Sequence, residues 1–223
     1  TKAGSDWVNV SRLAYTYDAN NNEIEYLRQN GDGSGWVNFS FWTYKYVGNN
    51  NLIETLVHGW VASAWLLYSK LSYAYDENNN KLEYLLQYWD GSGWLNYSKN
   101  SYDYNLNNNL IEEIYQTWAN SAWVNVSRLS YIYDLVTFNN TEYLRQNWDG
   151  SAWMNFSKWS YTYDGNNKGS YTNAGSNNLT EYLYQTWNGS AWVNVDKFMY
   201  SYIPTGVEHF EGEVSTYSLS NNY

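Results

Sequence analysis

Carboxylates are the residues best able to do chemistry in this sequence. Glu25, Glu54, Glu83, Glu112, Glu142 and Glu181 each sit in the same local phrase, and Leu or Ile follows two positions later. Paired carboxylates can hydrolyse glycosidic bonds. Catalysis, however, needs one distinguished place, and a residue that returns with the same neighbours is a structural column. The chain is therefore read as a non-enzyme. Asn-rich loops offer a second chemistry. Asp18, Asn20 and Asn22, and again Asp76, Asn78 and Asn80, place oxygens at alternate positions, as calcium loops do. No Gly follows at the sharp-turn position, and Val47 and Asn105 replace the leading acid in other copies. Turn formation explains these loops better, and calcium there is the one cofactor the sequence offers. His58 and His209 share no evident partner, and no catalytic-triad, phosphate-loop or metal signature is present.

Aromatic residues are the third candidate. The chain holds 26 Tyr and 14 Trp among 223 residues. Flat apolar rings can stack on sugars, so a polysaccharide is the alternative partner. Asn-x-Ser triplets at Asn9, Asn38, Asn96, Asn125 and Asn155 match a glycan-acceptor pattern. They fall mid-strand in one column and are read as a ladder.

These residues are positioned by a repeat. The phrase W-V-N-x-S-[KR]-x-x-Y-x-Y-[DN] returns with its first residue at Trp7, Trp36, Trp65, Trp94, Trp123, Trp153 and Trp192. A fixed period outranks other readings of a sequence. From Trp65 to Asp76, and again from Leu82 to Trp89, residue type alternates with period two, which is the strand signal. Asn-rich and Asp-Gly-Ser-Gly segments separate the strands as turns. The sequence thus predicts an all-β, antiparallel β-hairpin array over residues 1–203, of thirteen strands, as an open twisted sheet, a solenoid or a wide barrel. Residues 204–223 form a tail able to supply one more strand.

Loop lengths suggest a register. Pairing Trp89 with Trp94 sets Gln87 opposite Asn96 and Leu85 opposite Ser98. Pairing Asp76 with Leu82 sets Tyr75 opposite Glu83 and Tyr73 opposite Leu85. One face, taken as the core, would then carry Trp, Asn, Ser, Tyr, Glu, Leu and Gln. Its ladders would be Trp36, Trp65, Trp94, Trp123, Trp153 and Trp192, the glutamates, Tyr73 and Tyr75, and the amides Gln87, Gln116, Gln146 and Gln185. Tyr hydroxyls would donate to Glu, and Asn would pair with Gln. The fifth repeat is one residue longer, and the sixth carries a ten-residue insertion between Asp164 and Glu181. The Asn-turn edge is thus the variable one.

Composition narrows the partners. A net charge of −10 argues against nucleic acid and anionic membrane surfaces. No apolar run is long enough for a transmembrane helix, so no membrane insertion is expected. The absence of Cys excludes a disulfide scaffold and a thiolate metal site. Gly4-Ser5-Asp6-Trp7 aligns with Gly189-Ser190-Ala191-Trp192, so the chain reads as mature, processed or excerpted.

Two resemblances add to this. Tyr15-Thr-Tyr17-Asp18 and Tyr73-Ala-Tyr75-Asp76, each followed by an Asn-rich turn, resemble the YD repeat of bacterial wall-associated and Rhs-type proteins. That resemblance implies winding β-hairpin sheets. Tyr217-Ser-Leu-Ser-Asn-Asn-Tyr223 resembles the opening of the C-terminal sorting domain of type IX secretion cargo. It implies a Bacteroidota-like bacterium, export across the outer membrane and a surface or extracellular destination. The expectation that follows is a secreted structural protein that self-assembles head-to-tail into a filament or surface layer. Its assembly edges would hold Trp7, Asn9, Trp192, Asn194, Val214, Tyr217 and Leu219.

Overall fold

A computed structural model describes residues 2–3, 6–7, 10–135, 137–163 and 179–199. Asn9, the sixth-repeat insertion and the tail with Val214, Tyr217 and Leu219 lie outside the described residues. The strands are β1 (Lys2–Ala3), β2 (Asp6–Trp7), β3 (Ser11–Tyr17), β4 (Glu23–Gly31), β5 (Trp36–Val47), β6 (Asn51–Val61), β7 (Ala64–Tyr75) and β8 (Lys81–Trp89). They continue as β9 (Trp94–Tyr104), β10 (Leu110–Ala119), β11 (Ala122–Tyr133), β12 (Asn140–Trp148), β13 (Trp153–Tyr163), β14 (Leu179–Trp187) and β15 (Trp192–Met199). Strands β3 to β15 form one open 13-stranded sheet in strict sequence order. The first described strand of this sheet starts at Ser11. Trp7 belongs to a separate two-stranded pair, opposite Lys2.

The chain divides into two compact units, Thr1–Tyr102 with Tyr115–Val124 and Asp103–Ile114 with Asn125–Tyr223. Both are built from the same hairpin. In the first unit, Trp89 pairs with Trp94 and Gln87 with Asn96, as the turn length predicts. The ladder then skips Tyr97, so Leu86 faces Ser98 and Leu85 faces Lys99. In the neighbouring pairing, Ala74 faces Glu83, Leu82 is skipped, and Tyr75 faces Lys81. Tyr73 consequently faces Tyr84. The second unit repeats the pattern, skipping Phe156 between β12 and β13 and Thr141 between β11 and β12.

These bulges correct the predicted register. Leu85 does not face Ser98, Tyr75 does not face Glu83, and Tyr73 does not face Leu85. A bulge sets two residues against one and exchanges the faces of everything beyond it. Each described pairing from β3 to β9 and from β11 to β15 holds one bulge, so a bulge-free reading stayed self-consistent while being wrong beyond it. One face carries the Trp pairs, the Asn–Gln rungs, the basic residues, the glutamates and Leu85. The tyrosines Tyr73, Tyr75 and Tyr84 occupy the other.

The predicted core face also needs correction. Among the described residues no hydrophobic side chain is buried, and the buried ones are Thr55, Ser69, Ser98 and Ser157. Three of these are the serines that follow a bulge residue. The sheet is one layer, and cross-strand side-chain pairs, worth roughly 0.2–1 kcal/mol each, must stabilise it.

Polar turns set the hairpins. The Asp90 carboxylate accepts from the Ser92 amide at 2.7 Å, the Ser92 hydroxyl at 2.8 Å and the Gly93 amide at 2.8 Å. Gly91 adopts φ of 100° there, which glycine takes without steric cost. At the opposite end, Asn79 takes φ of 65° in the Asp76–Asn80 turn, a conformation Asn tolerates.

Candidate functional site

Turn spacing brings the Trp pairs together. Ring centroids lie 4.9 Å apart for Trp60 and Trp65, 5.2 Å for Trp89 and Trp94, and 5.0 Å for Trp118 and Trp123. Trp148 with Trp153 and Trp187 with Trp192 repeat this at 5.1 and 5.3 Å. One rung further in, Gln29, Gln87, Gln146 and Gln185 donate from Nε2 to Asn38, Asn96, Asn155 and Asn194 at 2.6–2.9 Å. The acceptor-pattern asparagines of these rungs are thus ladder partners. Gln116 lies on β10, and His58 replaces the amide on β6 with Nδ1 3.3 Å from the Phe41 carbonyl oxygen.

The glutamates do not meet tyrosine hydroxyls in the predicted manner. Bulges bring them to a basic column instead. Lys99 lies 3.8 Å from Glu83, Arg128 3.3 Å from Glu112, Lys158 3.6 Å from Glu142 and Lys197 2.8 Å from Glu181. Glu54 stands opposite Lys45 on one side and Ser72 on the other. The basic residues also cover the next repeat's Trp. Arg12 lies 5.0 Å from the Trp36 ring centroid, Lys70 5.0 Å from Trp94, Lys99 5.0 Å from Trp123, and Lys158 5.1 Å from Trp192. Sequence reasoning missed this column, although the recurring Lys/Arg after Ser was its signal.

The Asn loops are consumed by their own turns. Asp18 Oδ1 accepts from the amides of Asn20 and Asn22 at 2.8 Å, and Oδ2 from the Asn22 side chain at 3.0 Å. Asp76 does the same with Asn78 and Asn80. These bonds hold both carboxyls below their ordinary pKa, with the Asn side chain the largest cause. Among the described residues no group of three His, Cys, Asp or Glu is placed to hold a metal.

Concavity appears on the tyrosine face of the second unit. Tyr131, Tyr133, Asn140, Tyr143, Trp159, Tyr161 and Tyr163 line a trough of about 420 Å³. Its lining includes a row of rings, with Tyr131 5.2 Å from Tyr143 and Tyr143 4.6 Å from Trp159. Two of the lining tyrosines are fixed through their hydroxyls. Tyr133 donates to the Leu110 carbonyl at 2.9 Å, and Tyr163 to the Asn140 carbonyl at 2.8 Å. Burial pushes the hydroxyls of Tyr143, Tyr161 and Tyr163 up, so they stay neutral and can both donate and accept.

The chain is thus an all-β repeat protein, an antiparallel hairpin array in one open sheet. No family model matches it. No curated protein matches it either. Among solved structures it is similar to a protein of unknown function from Bacteroides fragilis NCTC 9343, at 13% identity and TM-score 0.45, over 55% of this chain and 92% of that one. It is similar to a porin-like protein from Bacteroides uniformis ATCC 8492, at 12% identity and TM-score 0.31, over 81% of this chain and 84% of that one. A TcdB2-TccC3-TEV crystal structure matches at 11% identity and TM-score 0.31, over 86% of this chain and 12% of that one.

Proposed function

We propose that this protein is an exported structural component of a bacterial surface that assembles with itself through its sheet edges. The observation that carries the proposal is the state of the end strands. Among the described residues no strand covers β3 or β15. All seven residues of β3 are exposed. On β15, Val195 and Met199 are 54% and 64% exposed. An unpaired edge templates pairing with another chain, and natural proteins blunt it with proline, bulges or charge. Neither end strand contains proline. β15 carries a bulge at Val195 with Asp196 and Lys197 after it, and the only charge on β3 is Arg12, so the β3 edge is the less protected one. An edge contact that does not close on itself propagates as a fibre or layer. The tail resemblance to type IX cargo supports export, and the YD-like phrases support a surface array.

Electron microscopy of the purified chain at several concentrations tests this. Filaments, tubes or sheets are the expected result, and dispersed single particles at every concentration would overturn it. Replacing Val195 and Met199 with Lys should suppress assembly while strand content stays unchanged. Removing residues 206–223 should do the same if the tail is the strand that bridges copies.

A further inference from the structure

We propose that the trough around Tyr143 and Trp159 is a binding site for a neutral polysaccharide, with one pyranose residue seated against the rings. The site is independent of edge assembly. Its first support is that it breaks the repeat. A periodic residue marks no special place, but two departures coincide here.

The first departure is Asn140. Other hairpins set a different residue opposite the last tyrosine: Glu23 opposite Tyr17, Leu52 opposite Tyr46, Lys81 opposite Tyr75, and Leu179 opposite Tyr163. Two of these fill the space with charge. The Lys81 ammonium lies 5.4 Å from the Tyr73 ring centroid, and the Glu23 carboxylate accepts from the Tyr44 hydroxyl. Asn140, opposite Tyr133, is short and uncharged. The second departure is Trp159, where the corresponding positions carry Leu13, Leu71, Asn100, Leu129 and Phe198. Trp42 is the other Trp of that column, and it belongs to the hairpins that hold Glu23. Only in the trough does a Trp combine with a small neutral side chain.

Chemistry points from there to the occupant. A pyranose offers an apolar face of C–H groups and a rim of hydroxyls. Tyr and Trp offer the complement, a large apolar body with a polar tip. They also lose little entropy on contact, having few rotatable bonds. The volume lies within the range of small-ligand sites, about 300–1,000 Å³, and the lining mixes aromatics with a few polar groups as such sites do. No lining residue is charged, so nothing there is built to neutralise an ionic ligand. The net charge of −10 works against polyanions. The ring row continues past the trough, with Trp159 stacked on Tyr184 at 4.7 Å and Tyr161 5.8 Å from Tyr182. A chain of sugars therefore finds further rings across the strands. Anchored hydroxyls on Tyr133 and Tyr163 hold these two lining rings in place before binding, which lowers the cost of association.

Affinity electrophoresis of the full chain tests the site, in native gels containing hydroxyethylcellulose, galactomannan or laminarin, with alginate as the anionic comparison. The expected result is retardation in at least one neutral gel and none in alginate. Trp159→Leu and Asn140→Lys install residues that other repeats carry at the same register, so the sheet should persist, which circular dichroism and melting check. Each should weaken binding about tenfold, as loss of a central contact does, and the double variant should abolish it. Trp42→Leu should leave binding unchanged. Absence of retardation in every neutral gel, retardation confined to alginate, or equal binding by the folded double variant would each overturn the proposal. So would an equal loss in Trp42→Leu.

Discussion

The Arg128 guanidinium lies 4.9 Å from the ring centroid of Trp153, a residue of the following repeat. The same group reaches Glu112 at 3.3 Å and donates to Gln146 Oε1 from Nη2 at 2.6 Å. One side chain thus spans β10 to β13 and ties consecutive hairpins together without a core. The column explains how a one-layer sheet holds: long basic stems cover the polar face, and their heads close an ion pair and a ring contact at once.

Truncating that residue should weaken the second unit. The ion pair is partly exposed and contributes about 0–1 kcal/mol. The ring contact adds roughly 0.5–1 kcal/mol, and the bond to Gln146 a similar amount. Arg128→Ala should therefore cost about 1–2 kcal/mol in urea unfolding. Arg128→Lys should cost less, because Lys158 makes the equivalent ring and Glu contacts. An equal loss in both variants would defeat the shared-contact account.

Glycine substitutions in the Asp90 turn should separate by backbone alone. Neither Gly91 nor Gly93 has an atom within 4 Å of an added Cβ. Gly91, however, holds φ of 100°. Gly91→Ala should destabilise by about 1 kcal/mol. Gly93→Ala should be neutral or slightly stabilising, since Ala152 and Ala191 stand at that place in other repeats. Thermal melts of the two variants give the comparison, and similar shifts would contradict it.

Reading the chain alone succeeded up to the first bulge. Trp89 with Trp94 and Gln87 with Asn96 lie within three residues of a turn, where loop length dictates pairing. It failed beyond Tyr97 and Leu82, because neither bulge is marked by glycine and each moves every later residue to the other face. Glu83 is therefore read as facing Tyr75, whereas it faces Ala74 and pairs with Lys99. The trough was less legible. Trp159 and Asn140 sit in columns that vary from repeat to repeat, so neither stands out in the sequence as the length changes of the fifth and sixth repeats do. Only the register shows that the two residues share one hollow.

Acid should loosen the Asp-led turns. Hydrogen bonds hold the carboxyls of Asp32, Asp90 and Asp149 below the ordinary value, backbone amides being the largest cause. A depressed folded pKa gives stability that is present above the unfolded value, about 3.9. That stability is lost as pH falls through the folded one. The turns should thus hold above about pH 4 and open progressively below it. Asn188 makes the same three bonds, at 2.9–3.1 Å, without a titrating group. Changing all three aspartates to Asn should keep the fold and remove their share of the acid sensitivity. Amide exchange at Ser92 and Gly93 reads the opening, and unchanged acid behaviour in the triple variant would refute the assignment.

Alkali should attack the opposite face. Burial pushes the hydroxyls of Tyr75, Tyr84, Tyr143, Tyr161 and Tyr163 up, and Tyr44 furthest, with the Glu23 carboxylate adding to burial there. The folded state binds these protons more tightly than the unfolded chain, whose tyrosines titrate near 10. The contribution is complete below that value and falls as pH rises toward the folded ones. Phenolate absorbance should therefore rise later in the native chain than in denaturant, and the strand signal in circular dichroism should be lost together with it. Glu23→Gln removes the nearby negative charge, so Tyr44 should titrate closer to its ordinary value. Phenolates forming near pH 10 in a sheet that stays intact would show that the tyrosine face is not packed tightly enough to hold its protons.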